Sequence, residues 1–359
     1  MVRISERARN LLLHLSLAGM SNDELLQVYG SMDEDMGEER QLSFSPTFGS
    51  KRLANKVRSL LDEDVSKRRE VIENRGIYAL VVGDDFYPEK LALSPNPPVV
   101  MYAIGNLELM ARPSISVVGA RKHTSYGAKM CKKFVGELAE RGLVIVSGLA
   151  LGIDKLAHQA ALEAAGDTIA VLGNGIGECY PKSNRDIYER IVERGLVLSE
   201  YPPFTPPKPF RFPERNRIIA ALGDGTLVVE AKERSGSLIT ARLAAECGRE
   251  VFAICGNLDS VYSKGTNRLI MDGAQMVLSC DDICQNPVYR LEEKKKERDL
   301  TELSLEEKTL YGSIENGNQN TDALVADLGW NITEVLSVLT VLELKNVITG
   351  VDSGCIEII

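Results

Sequence analysis

The stretch ISVVGARKHTSYGAKMCKKFVGELAERGLVIVSGLALGID, residues 115–154, decides the fold. An apolar run at 115–119 ends in Gly119-Ala120-Arg121, and residues 126–141 then carry apolar side chains at helical spacing. A second apolar run, 143–147, again ends in a glycine, Gly148, before a further helix opens near Asp154. Short continuous apolar strands alternating with helices indicate a parallel sheet, because each crossover lays a helix over one face and leaves the strand buried on both sides.

The unit repeats outward. Strands are expected at 168–172, 196–199, 226–230, 250–255 and 275–278, with helices at 154–165, 187–194 and 238–247 and another closing at 218–222. The fold class is therefore α/β: a Rossmann-like, mostly parallel sheet with flanking helices over residues 77–285. Two further short strands, 77–82 and 99–103, are separated by Tyr87-Pro88, Pro95 and Pro97-Pro98. Residues 1–76 are expected to form a small N-terminal helical, SAM-like domain, since Leu11, Leu12 and Leu15, and then Leu53, Val57, Leu60 and Leu61, recur at helical spacing. Ser21 with Glu24 three residues on has the form of a helix-capping pair, and Lys51, Arg52, Lys56 and Arg58 read as a solvated helix face. Residues 286–304 form a charged linker whose run 292–299 has no apolar residue. The last 55 residues, 305–359, read as helices at 305–314, 321–328 and 332–345 and a hairpin of 347–351 with 355–359, a winged-helix domain. Its third helix carries Asn331, Thr333, Glu334, Ser337, Thr340, Glu343 and Lys345. Two acids among three charges suit a DNA groove poorly, so this domain is expected to contact protein or its own chain.

The chain has 359 residues, 44% hydrophobic and 26% charged, with a net charge of −9. That balance excludes a protein that coats DNA with its whole surface; any nucleic-acid contact has to be local. No window approaches the ~18 apolar residues of a membrane span, and Arg3, Glu6, Arg7 and Arg9 interrupt the start, so a cytoplasmic location without membrane attachment is expected. The seven cysteines lie apart, and Cys280 and Cys284 have the wrong spacing for a CxxC motif; with only three histidines, no metal and no cofactor are expected.

In such a sheet, ligands bind outside the carboxyl ends of the strands, so the turns that follow them carry the chemistry. Gly119 would let the backbone approach a phosphate and Arg121 would add a bidentate fork, although an ordinary surface arginine fits the same turn. Ser147-Gly148-Leu149-Ala150-Leu151-Gly152-Ile153-Asp154 offers a second glycine-rich turn, with Asp154 placed to cap a helix. Lys182, in Tyr180-Pro181-Lys182-Ser183-Asn184, precedes a helix, where a lysine is electrostatically unfavourable unless an anion is present. Lys208-Pro209-Phe210-Arg211-Phe212-Pro213-Glu214-Arg215-Asn216-Arg217 interleaves cations with rings, as single-stranded nucleic acid requires, although the rings could equally anchor a proline-rich loop to the core. Ser235, Gly236, Ser237 and Thr240 make an anion nest at a helix start. His123 and His158 lack partners in sequence and read as structural.

In this order and spacing, Val118-Gly119-Ala120-Arg121, the turn 147–154, the Tyr180–Asn184 segment, Phe212-Pro213-Glu214-Arg215-Asn216-Arg217-Ile218-Ile219 and Ser235-Gly236-Ser237-Leu238-Ile239-Thr240-Ala241 resemble the DNA-processing protein A (DprA/Smf) family. The resemblance covers Tyr87 to Asp282, with the linker and winged helix behind it. It implies a non-catalytic single-stranded-DNA-binding recombination mediator, a homodimer through the Rossmann-like domain. Such a protein protects incoming DNA during natural transformation and loads the RecA recombinase, with single-strand-binding protein as a further partner. It places a DNA-phosphate contact on Arg121 and a pocket contact on Lys182. The expected DNA-binding set is Gly119, Arg121, Ser147, Gly148, Lys182, Asn184, Phe210, Arg211, Arg215, Asn216, Arg217, Ser235, Gly236, Ser237 and Thr240. Cys255-Gly256 departs from the family's usual proline before that glycine.

Two other readings stay open on the residues alone. One is a nucleotide phosphoribohydrolase of related fold, because Gly223-Asp224-Gly225-Thr226 followed by Glu230 is similar to that group's phosphate motif. The other is a sensor of free nucleotides.

Overall fold

The computed structural model of the chain describes residues 4–32, 50–289, 303–315, 317–345, 347–351 and 356–358. Two compact units result, residues 1–292 and 293–359.

The first unit opens with helices α1 (Glu6–Leu17), α2 (Asn22–Tyr29), α3 (Lys51–Leu61) and α4 (Ser66–Asn74). Strands β1 (Tyr78–Val81) and β2 (Val100–Gly105) follow, with the single-turn α5 (Glu89–Ala92) between them. Then come β3 (Ser114–Val118), α6 (Ser125–Glu140), β4 (Val144–Ser147), α7 (Ile153–Glu163), β5 (Thr168–Leu172), α8 (Arg185–Arg194) and β6 (Leu196–Ser199). The second half runs α9 (Arg211–Leu222), β7 (Gly225–Val228), α10 (Gly236–Glu246), β8 (Glu250–Ile254), α11 (Lys264–Met271), β9 (Gln275–Val277) and α12 (Asp281–Cys284).

All nine strands join one sheet in the order β1-β2-β6-β5-β4-β3-β7-β8-β9. Strands β3 to β9 pair in parallel, whereas β2 meets β6, and β1 meets β2, antiparallel. From β3 the chain builds one way through β4, β5 and β6, then returns to β3's other side to build β7, β8 and β9. The switch point therefore lies between β3 and β7, where a crevice opens at the carboxyl ends.

Alternation along the strands feeds two cores. Ile115 and Val117 of β3 and Ile145 of β4 pack with Phe134, Leu138, Ala157 and Ala160 of α6 and α7. Val118, Val144 and Val146 face the other way, toward Ile187, Ile191, Ile218 and Leu222 of α8 and α9. Burying each such side chain contributes roughly 1.5–3 kcal/mol, which is why the parallel strands read as unbroken apolar runs.

Residues 1–76 do not stand apart as the separate domain expected for them. Leu12, Leu15, Val28 and Val57 share one continuous core with Leu80, Val81, Met101 and Tyr102 of the β1–β2 edge. Ser16 Oγ lies 2.8 Å from the buried Tyr102 hydroxyl, and Arg9 bonds Asp84 and donates to the Ala79 carbonyl (2.7 Å). Lys56 of the supposed solvated face is paired with Glu24 (2.6 Å).

The second unit has helices α13 (Leu305–Glu315), α14 (Thr321–Leu328) and α15 (Ile332–Leu344) and the short pair β10 (Ile348–Thr349) and β11 (Glu357–Ile358). Leu310, Leu324, Val335, Leu339, Leu342, Ile348 and Ile356 form its own core. The charged run 292–299, and Cys355 and Ile359 of the expected hairpin, lie outside the described residues. Among the described residues, no single helix is long and apolar enough to cross a membrane.

Candidate nucleic-acid interface

A cleft of about 420 Å³ opens at the switch point, lined from the turns that follow β3, β4 and β7 and from the first turns of α9 and α10. Its charged lining consists of Arg121, Lys122, Arg215, Lys232 and Arg234 against the single carboxylate of Asp154. A chain of net charge −9 thus gathers five cations at one crevice, the kind of local basic site to which any nucleic-acid contact was expected to be confined.

Arg121 is exposed, and its guanidinium lies 5.8 Å from the Phe212 ring centroid. Phe212 is tilted against Tyr180 at 5.6 Å. Across the cleft, Lys232 Nζ stands 4.5 Å from the Tyr262 ring centroid. Paired cations and rings are the two kinds of group that phosphates and bases of a single strand use. The N-cap Ser235, then Gly236, Ser237 and Thr240 of α10, complete the lining and turn the positive end of an eleven-residue helix toward it.

The turn that carries Arg121 is held from below. Gly119 packs on Ile153, where a Cβ would come within 2.7 Å of that side chain. Gly152 has φ +83°, and a Cβ there would lie 2.3 Å from the Ala120 carbonyl oxygen. From the other side, buried Glu230 accepts from Thr124 N (3.0 Å) and Thr124 Oγ1 (2.5 Å). Thr124 Oγ1 in turn caps α6 by accepting from Gly127 N.

Several residues expected on the DNA surface are instead this floor. Arg215 is 3% exposed and donates to the Gly148 carbonyl (2.7 Å) and to that of Val171. It stands against buried Asp154: a Cβ on Gly148 would lie 2.6 Å from Arg215 Nη2 and 2.7 Å from Asp154 Oδ2. Burial pushes the Asp154 carboxyl up and Arg215 down to about 10, and each charge partly offsets the other's shift. Asn184 is fully buried and its amide donates to the Leu149 carbonyl (2.9 Å). Ser147 Oγ donates to Val117 O (2.7 Å), and Arg217 pairs with Glu200. Backbone carbonyls of the strands and turns, and for Arg217 a carboxylate, already occupy these groups.

His158 is structural in a defined way. Its Nε2 accepts from Leu149 N (3.3 Å), so Nδ1 carries the proton toward Thr168 Oγ1 (2.7 Å), which donates to the Ile145 carbonyl (2.7 Å). Burial holds its pKa down at about 3.

Of the expected set, the cleft brings together Gly119, Arg121, Arg215, Asn216, Ser235, Gly236, Ser237 and Thr240. Gly148, Lys182, Phe210 and Arg211 are not part of its lining. Lys182 is exposed and opens the short 3-10 turn Lys182–Asn184, two residues after Tyr180. Phe212, Tyr262 and Lys232 line the cleft although the expected set omits them. Phe212 carried the same signal as Phe210, a ring among cations, whereas Tyr262 arrives from the turn beyond β8, with no local motif to mark it. The Gly223–Asp224 turn precedes β7, at the edge of the sheet opposite the cleft, and Asp224 is engaged by Lys90 Nζ (3.2 Å) and Ser114 N (2.8 Å). The glycine part of the motif that suggested a phosphoribohydrolase thus lies away from the cleft, and its Glu230 is occupied in holding Thr124.

Two family models match: DNA recombination-mediator protein A over residues 78–287, and the DprA winged helix domain over residues 294–354. DNA processing protein DprA of Streptococcus pneumoniae is 49% identical over 200 residues, 56% of this chain and 71% of that protein. Protein Smf of Escherichia coli is 36% identical over 295 residues, 80% of this chain and 79% of that protein. The X-ray structure of the Streptococcus pneumoniae protein superposes with a TM-score of 0.70 at 38% identity, covering 79% of this chain and 98% of that one. A structure of DNA processing protein A from Helicobacter pylori, described for its single-stranded DNA binding mode, superposes with a TM-score of 0.53 at 31% identity, covering 58% of this chain and 94% of that one. With the family model spanning more than half of its residues, over the sheet and cleft described above, the chain belongs to the DprA/Smf family of DNA recombination-mediator proteins.

Proposed function

We propose that this protein binds single-stranded DNA in the switch-point cleft, without catalysing a reaction on it, and delivers the strand to a RecA-type recombinase in the cytoplasm. The observation that carries the reading is Arg121 over Phe212 at the rim of a cleft of five cations and one carboxylate. A phosphate would meet Arg121, Lys232 and the first N–H groups of α10, while the neighbouring base would stack on Phe212. The buried Arg215–Asp154 pair would serve to fix the turns rather than touch the strand. Rings accept any base, so recognition would be tolerant of sequence, as a mediator acting on incoming DNA requires. The Helicobacter pylori relative, described for its single-stranded DNA binding mode, supports the same substrate here.

The protein would act as a homodimer. Among the described residues β9 is an edge of the sheet, and Met276 within it and Met271 and Leu278 near it in sequence are 46%, 77% and 68% exposed. An apolar sheet edge of this kind suits a second copy of the same unit. Single-strand-binding protein is a further partner of the proposed role, met on the DNA rather than in the cleft.

Fluorescence anisotropy with labelled oligothymidylate and with duplex of the same length tests the reading. Tight binding of the single strand, weakened at least tenfold in Arg121→Ala with Phe212→Ala (~1–3 kcal/mol for the lost stack alone), is expected. Equal affinity in that double variant, with its melting curve intact, would reject the cleft. Release of free base from a nucleoside monophosphate would instead restore the hydrolase reading.

A further inference from the structure

We propose that the bound strand leaves the cleft along the carboxyl ends of β5 and β6 and stacks its next bases on a second platform built from Phe210, Tyr201 and Arg211. This rests on the cleft being a single-strand site.

Five neighbouring strands, β7, β3, β4, β5 and β6, lie side by side in that order, so their carboxyl ends form an edge of four spacings, roughly 19 Å at ~4.8 Å each. Cations and rings follow this edge. Lys232 stands beyond β7 and Arg121 beyond β3. Phe212 lies over the end of β5, where a Cβ on Gly173 would be 2.8 Å from its Cδ1. Tyr201 comes two residues after β6, and the Arg211 guanidinium lies 4.8 Å from its ring centroid and 5.6 Å from that of Phe210. Lys208 Nζ stands 5.9 Å from the Phe210 centroid on a flexible stem. A base stacking on Phe210 would displace that ammonium toward the adjoining phosphate.

The segment is built to hold these rings in water. Phe210 and Phe204 are 54% and 53% exposed, so they do not anchor the loop to the core. The loop is fixed by its backbone instead: Ile176 N donates to Tyr201 O (3.1 Å) and Gly175 N to Thr205 O (2.7 Å), while Arg211 bonds the Pro206 carbonyl. Glu214 accepts from the Tyr201 hydroxyl (3.0 Å), and neighbouring Glu200 is paired with Arg217. Exposed Phe210 and half-buried Tyr201, with two cations beside a cationic cleft, complement a polyanion with unpaired bases, and single-stranded DNA is the occupant that continues the cleft's own ligand.

A length series separates the two stations. Four-nucleotide and twelve-nucleotide oligothymidylates are titrated against the wild type, Phe212→Ala, Phe210→Ala and Phe210→Trp, with melting curves as a control. Phe210→Ala should weaken the longer oligomer about fivefold or more and leave the shorter within about twofold, and Phe210→Trp should restore wild-type affinity. Phe212→Ala should weaken both. A Phe210→Ala protein that binds the longer oligomer like the wild type, or that loses equally at both lengths, overturns the platform. A wild type that binds neither oligomer, or an unaffected Phe212→Ala, overturns the cleft reading itself.

Discussion

Arg121 and Arg215 flank the same Asp154, yet they are opposite kinds of residue. Arg121 projects from the β3–α6 turn into solvent, whereas Arg215 is buried with carbonyl partners in the turn after β4 and in β5. Removing Arg121 should leave the melting temperature within about 2 °C, because an exposed cation contributes little to stability. Removing Arg215 strands the buried Asp154 charge, a loss of roughly 3–5 kcal/mol, and thermal denaturation of Arg215→Ala should show it. Motif reading grouped these arginines because both sit in glycine-rich or basic segments; only packing tells which one meets water.

His158 gives a pH dependence with a definite sign. Its folded pKa of about 3 lies below the ordinary value of 6.5, so the unfolded chain binds the extra proton between those limits. Stability from this group is fully present above pH 6.5 and declines as the pH falls toward about 3, by ~1.4 kcal/mol per pH unit. Urea denaturation of the wild type and His158→Gln at a series of pH values should show a shallower acid decline in the variant. Parallel curves would mean that the imidazole titrates freely in the folded state.

At the scale of elements, the two turns that meet beneath Arg121 set the precision of the site. Gly152 needs its left-handed φ of +83° and has the Ala120 carbonyl oxygen 2.3 Å from where a Cβ would be. Gly152→Ala should destabilise the protein by about 2 kcal/mol or more, lower its melting temperature, and weaken DNA binding through displacement of the β3–α6 turn. The parallel strands β3 to β7 were legible from their sequence because every residue in them is buried. Their order was not. An unbroken apolar strand carries no alternation to report its neighbours, so the return past β3 that creates the cleft appears only in the fold. Tyr262 is hidden for the same reason, since it reaches Lys232 from the far end of β8.

Over the whole molecule, the surprise lies at the N-terminus. Helical spacing identified α1 and α3 correctly, but the same apolar residues that suggested a free-standing domain close over the β1–β2 edge. Deleting residues 1–76 should therefore expose Met101 and Tyr102 and yield insoluble protein rather than a trimmed core. The second unit behaves differently, because its own core is complete. Deleting residues 300–359 should leave single-strand affinity within a few-fold, as the acidic polar face of α15 suggests; a large loss would show that the winged helix holds DNA.

The central claim, a local cationic cleft on an acidic protein, is tested most directly by the salt dependence of single-strand binding. The slope of log affinity against log salt reports the phosphates neutralised, at about 0.7 per contact for single strands. The wild type should show a steep negative slope, and Arg121→Ala with Lys232→Ala a slope shallower by about one to one and a half. An unchanged slope in the double variant would contradict the account, because the phosphates would then be held elsewhere.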